Sequence, residues 1–406
     1  MLHRAAADLN PPAVARTAGP EVLALALLEA RSTTFAWLAA FEAAGAFVAT
    51  TGAEGEPLPG GGVAGIVQTL LAAGGRPFEA GGAADADAAT DPTASRAVNA
   101  ADAAARARAA LAEDIEAVQE ALAAVSPEGA AAAPEEGAAA GALEPFRLRL
   151  WLEDRAAEWF AEVALAAQLP PAGLPWRGVP SIAAAREPVW LPPTRLRLGS
   201  EAGAAFVPAA ERFAHEVPVP EFEIDALPVT WARWLEFAED AGYDRDELWG
   251  EAGLAWREAT GRRAPRHVLQ QRGGAVVVQR AGRATRVALH EPVRHATRHE
   301  AEAFCRWAGR RLPTEPEWEA AALHAAARGF AFGAVWEWTA GRARAWPGAD
   351  VAPATRADAP PADTAAHGVL RGGSFATPPR QRHAKARRFA RLEEDAGLFG
   401  FRTCGG

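Results

Sequence analysis

The chain has 406 residues, long enough for two domains, and with 50% hydrophobic and 23% charged residues it reads as globular rather than disordered. A formal net charge of −9 leaves no basic surplus to meet phosphates, which excludes a nucleic-acid partner. Two cysteines, Cys305 and Cys404, exclude a disulfide scaffold and suit a reduced, cytoplasmic setting, and with no leader-like start and no uncharged apolar run of about 18 residues, no membrane partner is expected.

Apolar spacing predicts a helix from Glu21 to Ala49, with Leu23, Leu27, Thr34, Trp37, Leu38 and Phe41 along one side and Glu29, Arg31 and Glu42 on a solvated face. Gly52–Gly62 breaks it, Val63–Leu71 follows as a short apolar stretch, and Gly74–Asp91 reads as a low-complexity loop. Leu111, Ile115, Val118 and Leu122 mark a second amphipathic helix within Asn99–Val125. Ser126–Gly141 reads as a linker, and Leu143–Leu169 as a last helix stopped by Pro170-Pro171. Four such segments predict an antiparallel four-helix bundle over residues 1–185.

From residue 186 onward Trp, Pro, Gly and Arg recur and the elements shorten, which predicts an α+β domain over 186–406. Strands are expected at Arg195–Gly199, Val217–Ile224 and Ala275–Val278, and helices at Thr230–Ala241, Arg298–Ala308 and Thr314–Ala327. Thr314 and Glu317 have the spacing of a capping box.

Four phrases stand out in this half: Arg310-Arg311-Leu312-Pro313-Thr314-Glu315-Pro316-Glu317-Trp318-Glu319, Val335-Trp336-Glu337-Trp338-Thr339, Val369-Leu370-Arg371-Gly372-Gly373-Ser374-Phe375 and Gly400-Phe401-Arg402-Thr403-Cys404. In this order they resemble the formylglycine-generating-enzyme (sulfatase-modifying factor) domain, a C-type-lectin-like α+β fold. Placed after a helical bundle, that domain resembles the non-haem iron sulfoxide synthases of ergothioneine biosynthesis and their relatives the selenoneine synthases, whose bundle is DinB-like. The resemblance implies Fe(II), dioxygen and hercynine, with a thiol or a selenosugar as the other small-molecule substrate and a C–S or C–Se bond formed on the imidazole ring. As pocket walls it points to Arg371, Trp336, Trp338, Phe375 and Ser374: the arginine to pair with a carboxylate, the rings to hold a trimethylammonium.

The same resemblance exposes a departure. Its members bind iron through three histidines, one on an early helix and two in a His-x-x-x-His-x-Glu stretch, where i and i+4 imidazoles share a helix face. The corresponding positions here are Val63, Leu152 and Ala156. Leu148, Leu152, Ala156, Trp159 and Val163 form one apolar stripe, which predicts a filled interior with no metal, and Arg155 stands ready to pair with Glu158. Catalytic residues are not identified by this pattern. Ala334 replaces the Asn of a family calcium contact, and the lone Tyr243 lies away from the family's catalytic tyrosine position. His290, His295 and His299 are expected to be ordinary basic residues, and His215, His267, His324, His367 and His383 to be isolated surface or hydrogen-bonded residues. Cys305 reads as a packed thiol, and the basic stretch Arg380–Arg388 as a solvated face. Two readings follow: a hercynine-modifying iron enzyme, or a catalytically inactive paralogue that binds a betaine, a sugar or a protein.

Overall fold

A computed structural model describes residues 12–47, 49, 58, 61–73, 75, 92–125, 142–170, 175, 187–201, 206–344, 346 and 361–406. The chain divides into two compact units. One comprises Met1–Arg177 with Gly203–Phe206 and Ala376–Gln381; the other comprises Gly178–Ala202, Val207–Phe375 and Arg382–Gly406.

The first unit holds α1 (Pro12–Thr17), α2 (Pro20–Ala43), α3 (Gly62–Ala72), α4 (Pro92–Ala123) and α5 (Glu144–Ala166). Helix α2 packs on α4 and α5, and α3 packs on the same pair. Helix α2 stops short of the expected Ala49 because Gly45 takes a left-handed conformation (φ 65°) and its N–H closes on the Glu42 carbonyl. The apolar stretch from Val63 proves to be a helix. Its first residue, Gly62, has φ 73°, and a Cβ there would lie 2.5 Å from the Ala49 carbonyl oxygen, so no larger residue fits. Apart from Leu58, Gly61, Gly62 and Gly75, the expected breaks and loops at Gly52–Gly62, Gly74–Asp91 and Ser126–Gly141 lie outside the described residues, as does the 185/186 boundary. Among the described residues α2 alone has the length and hydropathy of a membrane-crossing helix, yet Leu23, Ala26, Leu27, Trp37, Leu38 and Phe41 are buried in the bundle.

The second unit is built from small sheets. Strand β1 (Val189–Leu191) pairs with β4 (Phe222–Ile224), and β2 (Thr194–Leu198) with β3 (His215–Val219). The single strand expected over Val217–Ile224 is divided between β3 and β4 at Pro220, which has no N–H to offer a ladder. A meander follows, β5 (Val268–Arg272), β6 (Ala275–Arg280) and β7 (Arg283–Arg286). The central sheet has the order β10-β9-β8-β11, from β8 (Trp336–Arg342), β9 (His367–Arg371), β10 (Arg387–Arg391) and β11 (Phe399–Phe401), with β11 parallel to β8. Helices α6 (Trp231–Glu239), α7 (Glu251–Thr260), α8 (Arg298–Trp307) and α9 (Glu315–His324) complete it.

Helix α9 starts with the expected capping box, Thr314 accepting from the Glu317 N–H and Glu317 from the Thr314 N–H; α8 has its own, built from Thr297 and Glu300. The largest apolar cluster of the unit joins α6 and α8 to the central sheet, with Trp234 stacked on Phe304 at 5.8 Å.

Candidate functional site

In the first unit the three positions that the resemblance sets against iron-binding histidines fall in one apolar cluster. Val63 lies in the first turn of α3, Leu152 and Ala156 stand one turn apart on α5, and all three are buried with Trp37, Phe41 and Phe160. Leu148, Trp159 and Val163, the rest of the expected stripe, join the same cluster. Hydrocarbon side chains have no lone pairs to give, so the residues present at these positions do not fit Fe(II). Among the described residues no group of three or more His, Cys, Asp or Glu side chains is disposed to hold a metal ion.

The other faces of α5 carry something sequence reading missed, a set of buried charges. Arg31, expected on a solvated face, is only 1% exposed; its Nε donates to Glu153 (3.0 Å) and its Nη2 to Asp114 (2.9 Å). Arg149 also pairs with Asp114, and Thr34 donates to the second Glu153 oxygen at 2.9 Å. The signal was present: Arg31 follows Leu27 by four and precedes Leu38 by seven, in step with the apolar side of α2.

A second set is anchored by residues 376–381, which fold as part of this unit. Arg380 was expected to be solvated with its neighbours, and this is corrected: it is buried, gives Nε and Nη2 to Asp154 (2.8 and 2.6 Å) and Nη1 to Glu29 (2.6 Å). Gln381 donates to the same Asp154 at 2.9 Å. Burial works against the guanidinium charge, but the two carboxylates outweigh it and hold the proton more firmly than usual. Glu158 is fully buried and accepts from Arg155 (2.9 Å), the expected partner, and from Thr377 (2.8 Å).

In the second unit the residues expected to wall a pocket all lie in the core. Trp336, Trp338, Arg371, Ser374 and Phe375 are each at most 3% exposed. The Trp338 indole N–H donates to the Ala296 carbonyl at 2.9 Å. Between the two tryptophans, Glu337 accepts from the Trp318 indole (2.8 Å) and from both Nε and Nη2 of Arg402 (Nη2 at 2.6 Å); Nη1 of Arg402 donates to the carbonyls of Asp225 and Ala226, and Nη2 also to that of Ala331. Arg371 has an internal carboxylate already: it pairs with Glu319, donates to the Ala384 carbonyl at 3.0 Å and lies 3.6 Å from Glu315. Among the described residues its Nε and Nη1 have no hydrogen-bond partner. Gly372 is required beside it, because a Cβ would come within 2.6 Å of the Trp318 ring. Phe375 packs 5.9 Å from the Arg294 guanidinium.

Arg387 and Lys385 also correct the expectation of a solvated basic face. Arg387 is bidentate on Glu315 (2.8 and 3.0 Å), and Lys385 donates to Glu319 at 2.9 Å. Cys305 and Cys404 are free and buried, and burial pushes both thiols far above their ordinary range, as suits packed sulfur. His267 is not isolated; its ring meets His295 edge-on at 5.1 Å, and both residues hold left-handed backbone (φ 67° and 61°). His299 instead stacks on Trp256 at 5.9 Å.

Residues 180–334 match the sulfatase-modifying factor enzyme 1-like domain. The chain is 35% identical over 214 residues to the hercynine oxygenase of Mycolicibacterium smegmatis, an alignment covering 42% of this chain and 49% of that protein. It is 41% identical over 143 residues to the hercynine oxygenase of Mycolicibacterium thermoresistibile, covering 35% of this chain and 28% of that protein. It is also 31% identical over 205 residues to the inactive C-alpha-formylglycine-generating enzyme 2 of Mus musculus, covering 45% of this chain and 62% of that protein. The chain thus spans about half the length, or less, of the hercynine oxygenases it matches.

Proposed function

We propose, from the premise that this chain is an ergothioneine-sulfoxide-synthase-like family member, that it is a catalytically inactive paralogue in which the bundle is scaffold and the protein binds a small betaine-class ligand such as hercynine. One observation carries the reading: Val63, Leu152 and Ala156 are packed into a single apolar cluster where the resembling enzymes have three imidazoles. An iron centre needs donors, and side chains of this kind fill space without leaving an open coordination position.

The competing reading is an O2-dependent iron enzyme forming a C–S or C–Se bond on the imidazole of hercynine, with a thiol or selenosugar as donor. The 35–41% identity to hercynine oxygenases favours it. One preparation separates the two. The chain is mixed with Fe(II) under anaerobic conditions, passed through a desalting column and assayed for metal, and is titrated with hercynine in a calorimeter. The paralogue reading expects substoichiometric iron together with measurable hercynine heat. Near-stoichiometric iron with oxygen uptake on adding hercynine and a thiol would overturn it, and so would the absence of hercynine heat at millimolar ligand.

A further inference from the structure

Within the second unit a pocket of about 720 Å³ opens among the end of β3, one face of α8, the start of α9 and the end of β8. The α8 residues facing it, Arg298, Glu302, Cys305 and Arg306, follow the four-then-three spacing of a helix stripe. Five arginines line the pocket against two carboxylates, Glu302 and Glu317. Net charge depends on which of those arginines are already committed.

Three of them are. Arg298 gives its donors to Glu302 (2.9 Å) and to the carbonyls of Gly341 and Ala340 (2.7 and 2.9 Å). Arg310 is held by Thr403, Glu223 and Asp225. Arg311 forms a fork with Glu317, at 2.8 and 2.7 Å. Arg306 is held more loosely: its Nη1 donates to the Leu248 carbonyl at 2.7 Å, and its Nη2 makes a long ion pair of 3.8 Å with Oε2 of Glu302, whose other oxygen takes Arg298. Arg344 is exposed, and no acidic side chain among the described residues pairs with it. Its backbone is nonetheless fixed, because its carbonyl accepts from Arg387 at 3.3 Å. The floor is apolar, with Val219, Leu312, Pro316 and Ala340. One guanidinium with no acidic partner among the described residues, Arg344, and a second held only by a long ion pair, Arg306, beside an apolar lining select an anion with an apolar body: the head gains charge-assisted hydrogen bonds and the body gains burial.

We propose that this pocket binds a small organic anion, a carboxylate or phosphate monoester on an apolar body, with its head paired by Arg306 and Arg344 and its body on Val219, Leu312 and Pro316. The proposal stands on the second unit alone and does not depend on whether the protein binds hercynine or iron.

Calorimetry of the full chain at low salt tests it with 3-phenylpropionate, phenyl phosphate and the uncharged 3-phenylpropanamide. Saturable binding is expected for at least one anion, about tenfold tighter than for the amide, and whichever anion is tighter identifies the head group. Arg344→Ala, a change at an exposed side chain, is expected to weaken the anion about tenfold, while Arg344→Lys keeps most of the affinity. Arg306→Ala is expected to do the same, and Arg344→Ala keeps the test valid if loss of the Leu248 contact unfolds that variant. Equal binding of amide and anions, no binding of any probe, or anion binding unchanged in Arg344→Ala would each overturn the assignment.

Discussion

Helix α5 of the bundle and the β8–β11 sheet of the second unit both bury charge among apolar side chains, but they do so on different terms. In the sheet, two of the buried ion pairs join one of the four phrases to another, Glu337 with Arg402 and Glu319 with Arg371. On α5 the charges that matter, Glu153, Asp154 and Glu158, stand beside the buried apolar positions Leu152 and Ala156. A phrase that serves as the ionic skeleton of a fold is informative about the fold. It says little about chemistry, because the same contacts hold the sheet together whether or not a substrate ever arrives. The bundle gives the complementary lesson. Leu152 and Ala156 pack with Val63, Trp37 and Phe160, so this part of the helix is held by apolar contacts alone.

The sharpest way to break this comparison is to remove one partner of a phrase-to-phrase pair. Glu337→Ala leaves Arg402 and the Trp318 indole without their shared acceptor in a fully buried place. Loss of one member of a buried ion pair costs about 3–5 kcal/mol, so a large drop in the urea midpoint is expected. A variant within about 1 kcal/mol of the parent would show that the pair is not part of the skeleton.

The bundle counterpart is Arg380→Met, which takes the cation from Asp154 and Glu29. We expect about 2–3 kcal/mol, less than for Glu337→Ala, for two reasons. Gln381 still donates to Asp154, and burial already pushes the Asp154 carboxyl above its ordinary range, so it can become neutral once Arg380 is gone. Protonation then rescues the variant at low pH. The deficit measured by urea unfolding should grow as pH rises, because the unfolded chain ionises Asp154 freely while the folded chain resists. A deficit independent of pH would mean that Asp154 stays ionised without its arginine.

How much of this was legible in the sequence depended on which interactions were local. Helix periodicity located α2, α4 and α5, and the Thr314/Glu317 spacing located the start of α9, since each depends on residues within one or two turns. The Arg155–Glu158 pair was legible for the same reason. Contacts between distant residues were not. Nothing near Arg380 in sequence indicates that Asp154, 226 positions away, will take its guanidinium, and a run of basic residues has the same pattern whether solvated or buried. The pocket residues Arg306 and Arg344 were missed for that reason too: the excess of arginines over carboxylates in the pocket appears only once the distant segments that line it are brought together.

The most gradual expected effect, spread over pH, concerns Glu300, which sits at the third position of α8, where its carboxylate accepts the Thr297 N–H at 2.8 Å and receives the hydroxyl of the lone tyrosine, Tyr243. Burial pushes its pKa up to about 7 from an ordinary 4.5, against the pull of its hydrogen bonds from Tyr243 and Thr297. Between those values the folded protein holds a proton that the unfolded chain has released. Stability is therefore lost as pH rises through this window, by at most about 1.4 kcal/mol per pH unit for one proton. His295 has the opposite sign: burial, then His267, depress its pKa well below 6.5, so its contribution is present above that pH and is lost on acidification. The two slopes oppose one another from pH 4.5 to 6.5. Glu300→Gln keeps an acceptor for the capping box but cannot ionise. Its stability relative to the parent is expected to rise by about 1 kcal/mol per pH unit across the window and to level off above pH 7. What remains in the variant is the acid-side loss from His295. A constant offset between variant and parent from pH 4.5 to 8 in urea unfolding would mean that Glu300 is ionised throughout and that the hydrogen bonds, not burial, set its state.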